Sequence, residues 1–506
     1  MIFYFKQYIL ISLLMNILLS GYLFNPENIA LSGSGSTVYN DMRSINPATI
    51  ANHKGLSIQL FGSNFGLGNS IISISDYNDI NGANFDNPTA SKYFPKSDVL
   101  SLFNNGIGFN SQIALSLPFS NIVFNNISFS SRNYCFIDAN FPKALMELAL
   151  YGNQQNQLYN LDINNSINIF SEYTLGYAKS INSISIGLRI KYLQGLVSGQ
   201  LSSVSNNSSY FSTDSIGFLG KAEYVMNQSV GGSGFGLDIG LLTNKPIKGW
   251  KLGLSASNLF ARIEWDDNNI THNYFKNSII NKLPLRYGEK QYFSINLDTL
   301  NAINMMNMPI NEIYKIENFS IIELTNIDDI NFIAVDLNEY GDSILVSDYG
   351  QLIITDYGSY LLETTNIPDT LLQSLSSSSQ NYKTQYPIFF NLGAHKEIDE
   401  NILFCIDLST GFNNSFKNSK KWKLSTGILF NRFKNIPITV GLGFGGANKI
   451  TSGFSIGYNK GPLSFNFGIG TRNGIFLPSL KGLDASFSLI FKTSSLKKHI
   501  FYKNKS

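Results

Sequence analysis

A two-residue period runs through much of this chain, and it narrows the possible folds more than any other feature. In 463–470, Leu463, Phe465, Phe467 and Ile469 alternate with Ser464, Asn466, Gly468 and Gly470. Ile438, Val440, Leu442 and Phe444 alternate in the same way with Thr439, Gly441, Gly443 and Gly445. Ile184, Ile186, Leu188, Ile190 and Tyr192 alternate with Ser185, Gly187, Arg189 and Lys191, and Leu483, Ala485, Phe487, Leu489 and Phe491 form the last such series. Successive side chains of a strand point to opposite faces, so each run is a strand with one bulky apolar face and one small or polar face. In a soluble sandwich the wet face is rich in Lys, Glu and Thr; here it is mostly Gly, Ser and Asn. Apolar-out, polar-in strands of about ten residues fit a wall between lipid and a polar lumen. A closed barrel also leaves no backbone group unpaired in lipid.

Composition agrees. Of 506 residues, 43% are hydrophobic, 13% aromatic and only 14% charged. The net charge of +2 gives no reason to expect nucleic acid as a partner. Lys6 precedes an apolar run, Tyr8 to Leu19, that ends near Ser20 or Gly21, so 1–21 reads as an export signal. That run is short for a spanning helix, and no other run reaches the roughly 18 apolar residues a span needs. Cys135 and Cys405 read as small wall residues, with a disulfide as the alternative. His53, His272, His395 and His499 have no ligand spacing, so no metal and no cofactor are expected. Gly441 to Gly446 fits a dinucleotide-fingerprint spacing but lies in an alternating strand without the helix that must follow. The acidic pairs Asp266–Asp267 and Asp328–Asp329 lack calcium-loop spacing. No nucleophile sits in an elbow with a partnered His, so an enzyme is not expected.

Connection length gives a topology. Short turns are expected at Phe119–Ser120, Ile181–Asn182, Lys245–Lys248, Ile398–Asp399, Lys434–Asn435 and Lys460–Gly461. Long connections are expected at 67–107, 137–166, 201–233, 265–385, 412–421 and 473–482. Counted from Gly55, every short turn follows an even strand and every long connection an odd one. Bacterial barrels put short turns in the periplasm and long loops outside. The sequence therefore predicts an all-β transmembrane antiparallel barrel of about fourteen strands, in the outer membrane, with both ends periplasmic. Strands 1–7 occupy 55–264, with a helical loop over 142–152, and strands 8–14 occupy 386–492. The helix presents Leu145, Leu148 and Ala149 on one face, as a lid or as a cap on the rim. Between the halves lies an extracellular insertion, 265–385, with 16 Asp and Glu against 6 Lys and Arg. It reads as a capping or partner-binding domain or as a long variable loop. A basic tail, 493–506, follows.

Residues 31–51, LSGSGSTVYNDMRSINPATIA, resemble the N-terminal element of the long-chain fatty acid transporter superfamily, where an Asn-Pro-Ala stretch belongs to a luminal hatch. Asn46, Pro47 and Ala48 match it. KALMELALYGN (143–153), EYTLGYAKSI (172–181) and IGLRIKYLQGL (186–196) resemble an uncharacterised family of outer-membrane barrels common in Bacteroidota, a domain of unknown function related to that superfamily and to accessory barrels of type IX secretion. The resemblance covers roughly 30–262 and 386–492. It implies a fourteen-stranded barrel with a hatch over 25–54, including Asp41 and Arg43; a periplasmic tail at the barrel mouth is the alternative.

By parity, Glu172, Arg189, Lys191, Asp238, Lys251, Asp407 and Arg132 face the lumen. Pairing across Ile181–Asn182 sets Glu172 opposite Lys191 and Thr174 opposite Arg189. These charges read as a selective constriction or hatch anchor, or as ordinary interior ion pairs. Two functions follow: a plugged passive transporter of small hydrophobic or amphipathic solutes, or a structural barrel that binds an extracellular protein through 265–385. Outer-membrane lipid is the expected surrounding in either case.

Overall fold

The computed structural model describes residues 26–38, 44–116, 118–203, 205–213, 217–266, 382–412 and 421–493, together with the strand backbones Arg286–Asp298, Ile333–Leu337, Ser343–Ser347, Gly350–Ile354 and Tyr360–Glu363. The expected export signal, 1–21, Asp41, Arg43, most of 265–385 and the tail from 494 lie outside the described residues.

Fourteen antiparallel strands close into a barrel. They are β1 Leu56–Asn69, β2 Ile107–Ser116, β3 Ile127–Phe141, β4 Asn164–Ile181, β5 Ile184–Ser203, β6 Gly217–Thr243 and β7 Trp250–Trp265. After the insertion come β8 Phe389–Asp399, β9 Ile402–Gly411, β10 Lys423–Phe433, β11 Ile436–Gly445, β12 Ile450–Lys460, β13 Leu463–Arg472 and β14 Gly482–Lys492. Each pairs with the next, and β14 closes on β1 in a register that sets Phe65 opposite Ala485. Closure removes the edges that an open sheet would leave unpaired.

The alternating residues fall as the two-residue period requires. Phe65, Leu67, Leu175, Ile186, Leu188, Ile190, Phe235, Phe454, Ile456, Phe465, Phe467 and Ile469 are all exposed on the outside. Gly, Ser, Thr and Asn alternate with them and are buried inward, as with Ser464, Asn466, Ser486 and Ser488. A soluble monomer rarely exposes a contiguous apolar patch beyond a few hundred Å². A belt carried by nearly every strand needs lipid. No helix among the described residues is long and apolar enough to cross a membrane.

One end of the barrel carries the tight turns. Asn182, Asn435 and Gly461 take left-handed backbone there (φ 53°, 65° and 58°), which two-residue hairpins favour and Asn and Gly tolerate. The first of these turns is not at Phe119–Ser120. Pro118 has no N–H to give the ladder, so β2 is interrupted, and Asn121–Phe124 resumes it against Leu56–Gln59 of β1. The hairpin lies instead at Asn125–Asn126, with Asn125 at φ 49°. The change moves the turn by six residues and leaves the strand count intact.

The other end carries the long connections, with one short member, residues 446–449 between β11 and β12. The expected loop at 201–233 is largely strand: β5 and β6 continue to a pairing of Ser203 with Tyr224. Residues 286–298 of the insertion add to the same wall by pairing with 217–228 of β6. At about 3.3 Å per residue, β6 is far longer than the roughly ten tilted residues a membrane requires. The strands at 333–363 form a separate four-stranded meander. Three short helices, α1 Ile74–Ile80, α2 Lys96–Leu102 and α3 Ala144–Tyr151, cover part of this end. The helix expected over 142–152 packs through Met146 and Leu150 against Val99, Phe103 and Ile71; Leu145, on the face expected to pack, is exposed.

The β4–β5 register also differs from the expected one. Thr174 pairs with Lys191 and Gly176 with Arg189, because the turn holds two residues, Asn182 and Ser183. The shift is an even number, so every side chain keeps its face.

Candidate functional site in the barrel lumen

The N-terminal segment, not the wall alone, organises the lumen. Residues 26–32 and 34–38 are buried, as are Ser44 and residues 46–50. The segment runs around the inside of the wall, and most of the strands it crosses supply a glycine. Pro26 lies on Gly468 of β13, Ala30 on Gly453 of β12, Leu31 on Gly441 of β11, Thr37 on Gly253 of β7, Asn46 on Gly240 of β6 and Ala48 on Gly187 of β5. A Cβ at Gly253 would sit 2.6 Å from the Thr37 carbonyl oxygen, too close for any larger residue without movement of the backbone. The small inner face therefore has a shape: it is a track cut to receive a second backbone.

Polar groups hold the segment on that track. Asp407 of β9 accepts hydrogen bonds from the Gly35 and Thr37 N–H groups (2.5 and 3.2 Å) and from the Thr37 and Ser36 hydroxyls (2.5 and 3.3 Å). Asn46 caps the 3-10 turn Pro47–Asn52, accepting from the Ala48 N–H at 2.9 Å. Its amide nitrogen donates to Thr37 O at 2.8 Å and to Leu241 O of β6 at 2.9 Å. Pro47 suits the first helical position. The Ser425 hydroxyl donates to Ser32 O at 2.9 Å.

The luminal charges of β3–β7 gather beside this segment. Lys191 lies 3.4 Å from Glu172 and 3.0 Å from Asp238, and donates to Asn258 Oδ1 at 2.6 Å. Arg189 bonds Asp238 at 3.3 Å and the Ser44 carbonyl at 3.3 Å. Arg132 stands opposite Glu172 at 4.0 Å. All are buried or nearly so, and such charges persist only when paired. Lys251 sits apart on β7, opposite His395. Toward the loop end of the same half, Tyr134, Phe136, Phe170, Leu193, Trp265 and Tyr386 pack into an apolar core. Tyr382–Gln385 folds back onto β7, and the Trp265 N–H donates to Thr384 Oγ1 at 2.8 Å.

The opposite half, β8–β14 with β1, is not filled. A cavity of about 220 Å³ lies there, bounded by Ser32, Gly33 and Ser36 of the N-terminal segment and by Asn64, Asn391, Lys423, Thr451 and Arg472 of the wall. Arg472 forms a bidentate pair with Asp484 (2.5 and 2.7 Å) and also donates to Asn110 and Gln112. Sequence reasoning missed Lys423, Arg472 and Asp484. Each lies on the inner parity of its strand, so the signal was present, but the strand ends were too poorly bounded to use it. Cys135 and Cys405 are both buried and form no disulfide, and Cys405 lies against Gly35. Among the described residues no group of His, Cys, Asp and Glu is placed to hold a metal ion.

A family model described as a family of unknown function, DUF5723, matches residues 47–317. The chain belongs to this family. The DUF5723 match begins at Pro47, one residue after the Asn46 cap, and takes in β1–β7 with their whole charge network. Solved structures similar to this DUF5723 chain include the toluene transporter TbuX of Ralstonia pickettii, at 9% identity over 94% of this chain and 99% of that one, with a TM-score of 0.45. The toluene transporter TodX of P. putida is similar at 11% identity over 94% and 99%, TM-score 0.46. A FadL homologue of Pseudomonas aeruginosa is similar at 10% identity over 94% and 100%, TM-score 0.43. No curated protein matches the sequence.

Proposed function

We propose that this protein is an outer-membrane channel through which small amphipathic solutes diffuse, with the N-terminal segment acting as its hatch. A closed barrel with a lipid-compatible belt suits the outer membrane, with the tight turns in the periplasm. One observation carries the channel reading. One half of the lumen holds the apolar core around Trp265, whereas the other half keeps a cavity bounded by a segment that is docked through hydrogen bonds to Asp407, the Leu241 carbonyl and Ser425. A segment docked in this way can shift without unfolding the wall. In this reading Glu172, Arg189, Lys191 and Asp238 position the hatch through the Ser44 carbonyl, and the cavity is a station on the route. Its lining mixes polar groups with a larger apolar surface, which suits solutes that carry a polar end on an apolar body.

Planar-bilayer conductance of the full mature chain, compared with a variant lacking residues 26–52, tests this. The deletion is expected to raise single-channel conductance several-fold. Equal conductance in the two proteins would sink the channel reading. The four-stranded meander at 333–363 favours a second role, a surface for an extracellular protein. Co-purification that is lost when 299–381 is replaced by a linker would support it.

A further inference from the structure

We propose that the cavity beside the N-terminal segment is a binding site for a small carboxylate-bearing organic anion, with Lys423 as its counter-charge. The proposal rests on the channel reading only for how such a solute arrives. Lys423 opens β10, and its side chain runs past Gly443 and Gly446, its ammonium reaching Gly33. Three residues without side chains leave it room. Among the described residues, Lys423 has no hydrogen-bond or ion-pair partner, although Lys191, Arg189 and Arg472 in the same lumen are all paired. The carboxylate that acts on it electrostatically, Asp484, already holds Arg472 through both oxygens. Lys421 also lines the cavity but is engaged, so Lys423 is the lining cation left without a direct partner.

A second, independent feature points the same way. Ser32 Oγ, Asn64 Oδ1 and Thr451 Oγ1 are buried without a hydrogen-bond partner, and all three residues line this cavity. Buried polar atoms are rarely left unpaired, and Ser32, Thr451 and the Lys423 side chain converge on Gly443, so these orphans define a recess shaped for something that bonds them. Two of the three are hydroxyls able to donate. With one ammonium, they match a monovalent carboxylate. A phosphate dianion would bring a second negative charge, and Arg472, the guanidinium in the lining, is already engaged by Asp484, Asn110 and Gln112. A volume of about 220 Å³ leaves room for a small aromatic or short aliphatic acid.

Titration calorimetry of the purified full chain in detergent, with benzoate and its neutral isostere benzamide, decides it. Benzoate is expected to bind, and benzamide at least about tenfold more weakly, the usual loss when a charge-assisted hydrogen bond is removed. Lys423→Gln should weaken benzoate by a similar factor and leave benzamide unchanged. Lys423→Arg should restore most of the loss, and Lys460→Gln, in a tight turn, should change nothing. Heat-modifiable electrophoretic mobility confirms that each variant is folded. Absent benzoate binding, equal affinity for the two probes, or benzoate affinity untouched by Lys423→Gln each overturns the proposal. If benzoate binds as stated and hatch deletion leaves conductance unchanged, the site stands and the channel reading falls. The converse result sinks the site alone.

Discussion

Asp407 gives its acceptor oxygens to three consecutive residues of the N-terminal segment, Gly35, Ser36 and Thr37. Hydrogen bonds to a charged group are each worth about 1.5–3 kcal/mol net, so this one carboxylate dominates the local hold. Asp407→Ala should speed amide hydrogen exchange at residues 35–37 by about tenfold or more, with exchange in β9 little changed. Unaltered protection at 35–37 would show that the glycine track alone retains the segment. The face on which Asp407 stands was legible from alternation, as it was for Glu172, Arg189, Lys191 and Asp238. Its partners were not. Which residue an inward carboxylate meets depends on how the N-terminal segment is threaded, and nothing local in 31–51 states that path. The glycines were legible only as small inner residues; their role as a track appears once a second backbone is laid against them.

At the scale of the element, strands were easier to read than the places where they break. Pro118 and Ser120 look like turn residues, and the chain does bend there, but Asn121–Phe124 returns to the ladder. The competing signal, Asn125–Asn126 between the apolar-containing runs 121–124 and 127–130, is the stronger hairpin cue, and the structure follows it. The two hairpins make opposite mutational predictions. Asn125 is left-handed, and forcing a β-branched residue there costs about 1–2 kcal/mol, whereas Ser120 has ordinary backbone. Asn125→Val should lower the urea midpoint of folding into lipid vesicles clearly more than Ser120→Val. The reverse order would place the turn where the sequence first suggested it. The β4–β5 slip has a similar origin: counting the turn one residue early displaces the ladder by two, and an even displacement cannot be detected from burial pattern alone.

At the scale of the whole molecule, the 265–385 insertion interrupts the chain without interrupting the barrel. Trp265 at the end of β7 lies directly opposite Tyr382, and Arg262 opposite Gln385, so the chain leaves and returns at paired positions of one antiparallel ladder. β7 and β8 then pair for eight further residues, Trp250 with Lys396 through Ser257 with Phe389. Facing residues of such a ladder stand only about 5 Å apart, a gap that a tight hairpin spans. The meander at 333–363 pairs only with itself. The remaining strand, 286–298, pairs with 217–228 of β6, whose other side already carries β5 at 224–228 and residues 210–213 at 218–221. Closure by β14 on β1 involves none of these residues. Replacing 267–381 by a four-residue Asn-Gly hairpin should therefore leave a folded barrel with unchanged heat-modifiable mobility and a urea midpoint close to that of the parent. Failure of that variant to fold, alongside normal folding of one that keeps 286–298, would show that the projecting β6 wall needs its third strand. Failure of both would show that the insertion helps to build the barrel that it interrupts.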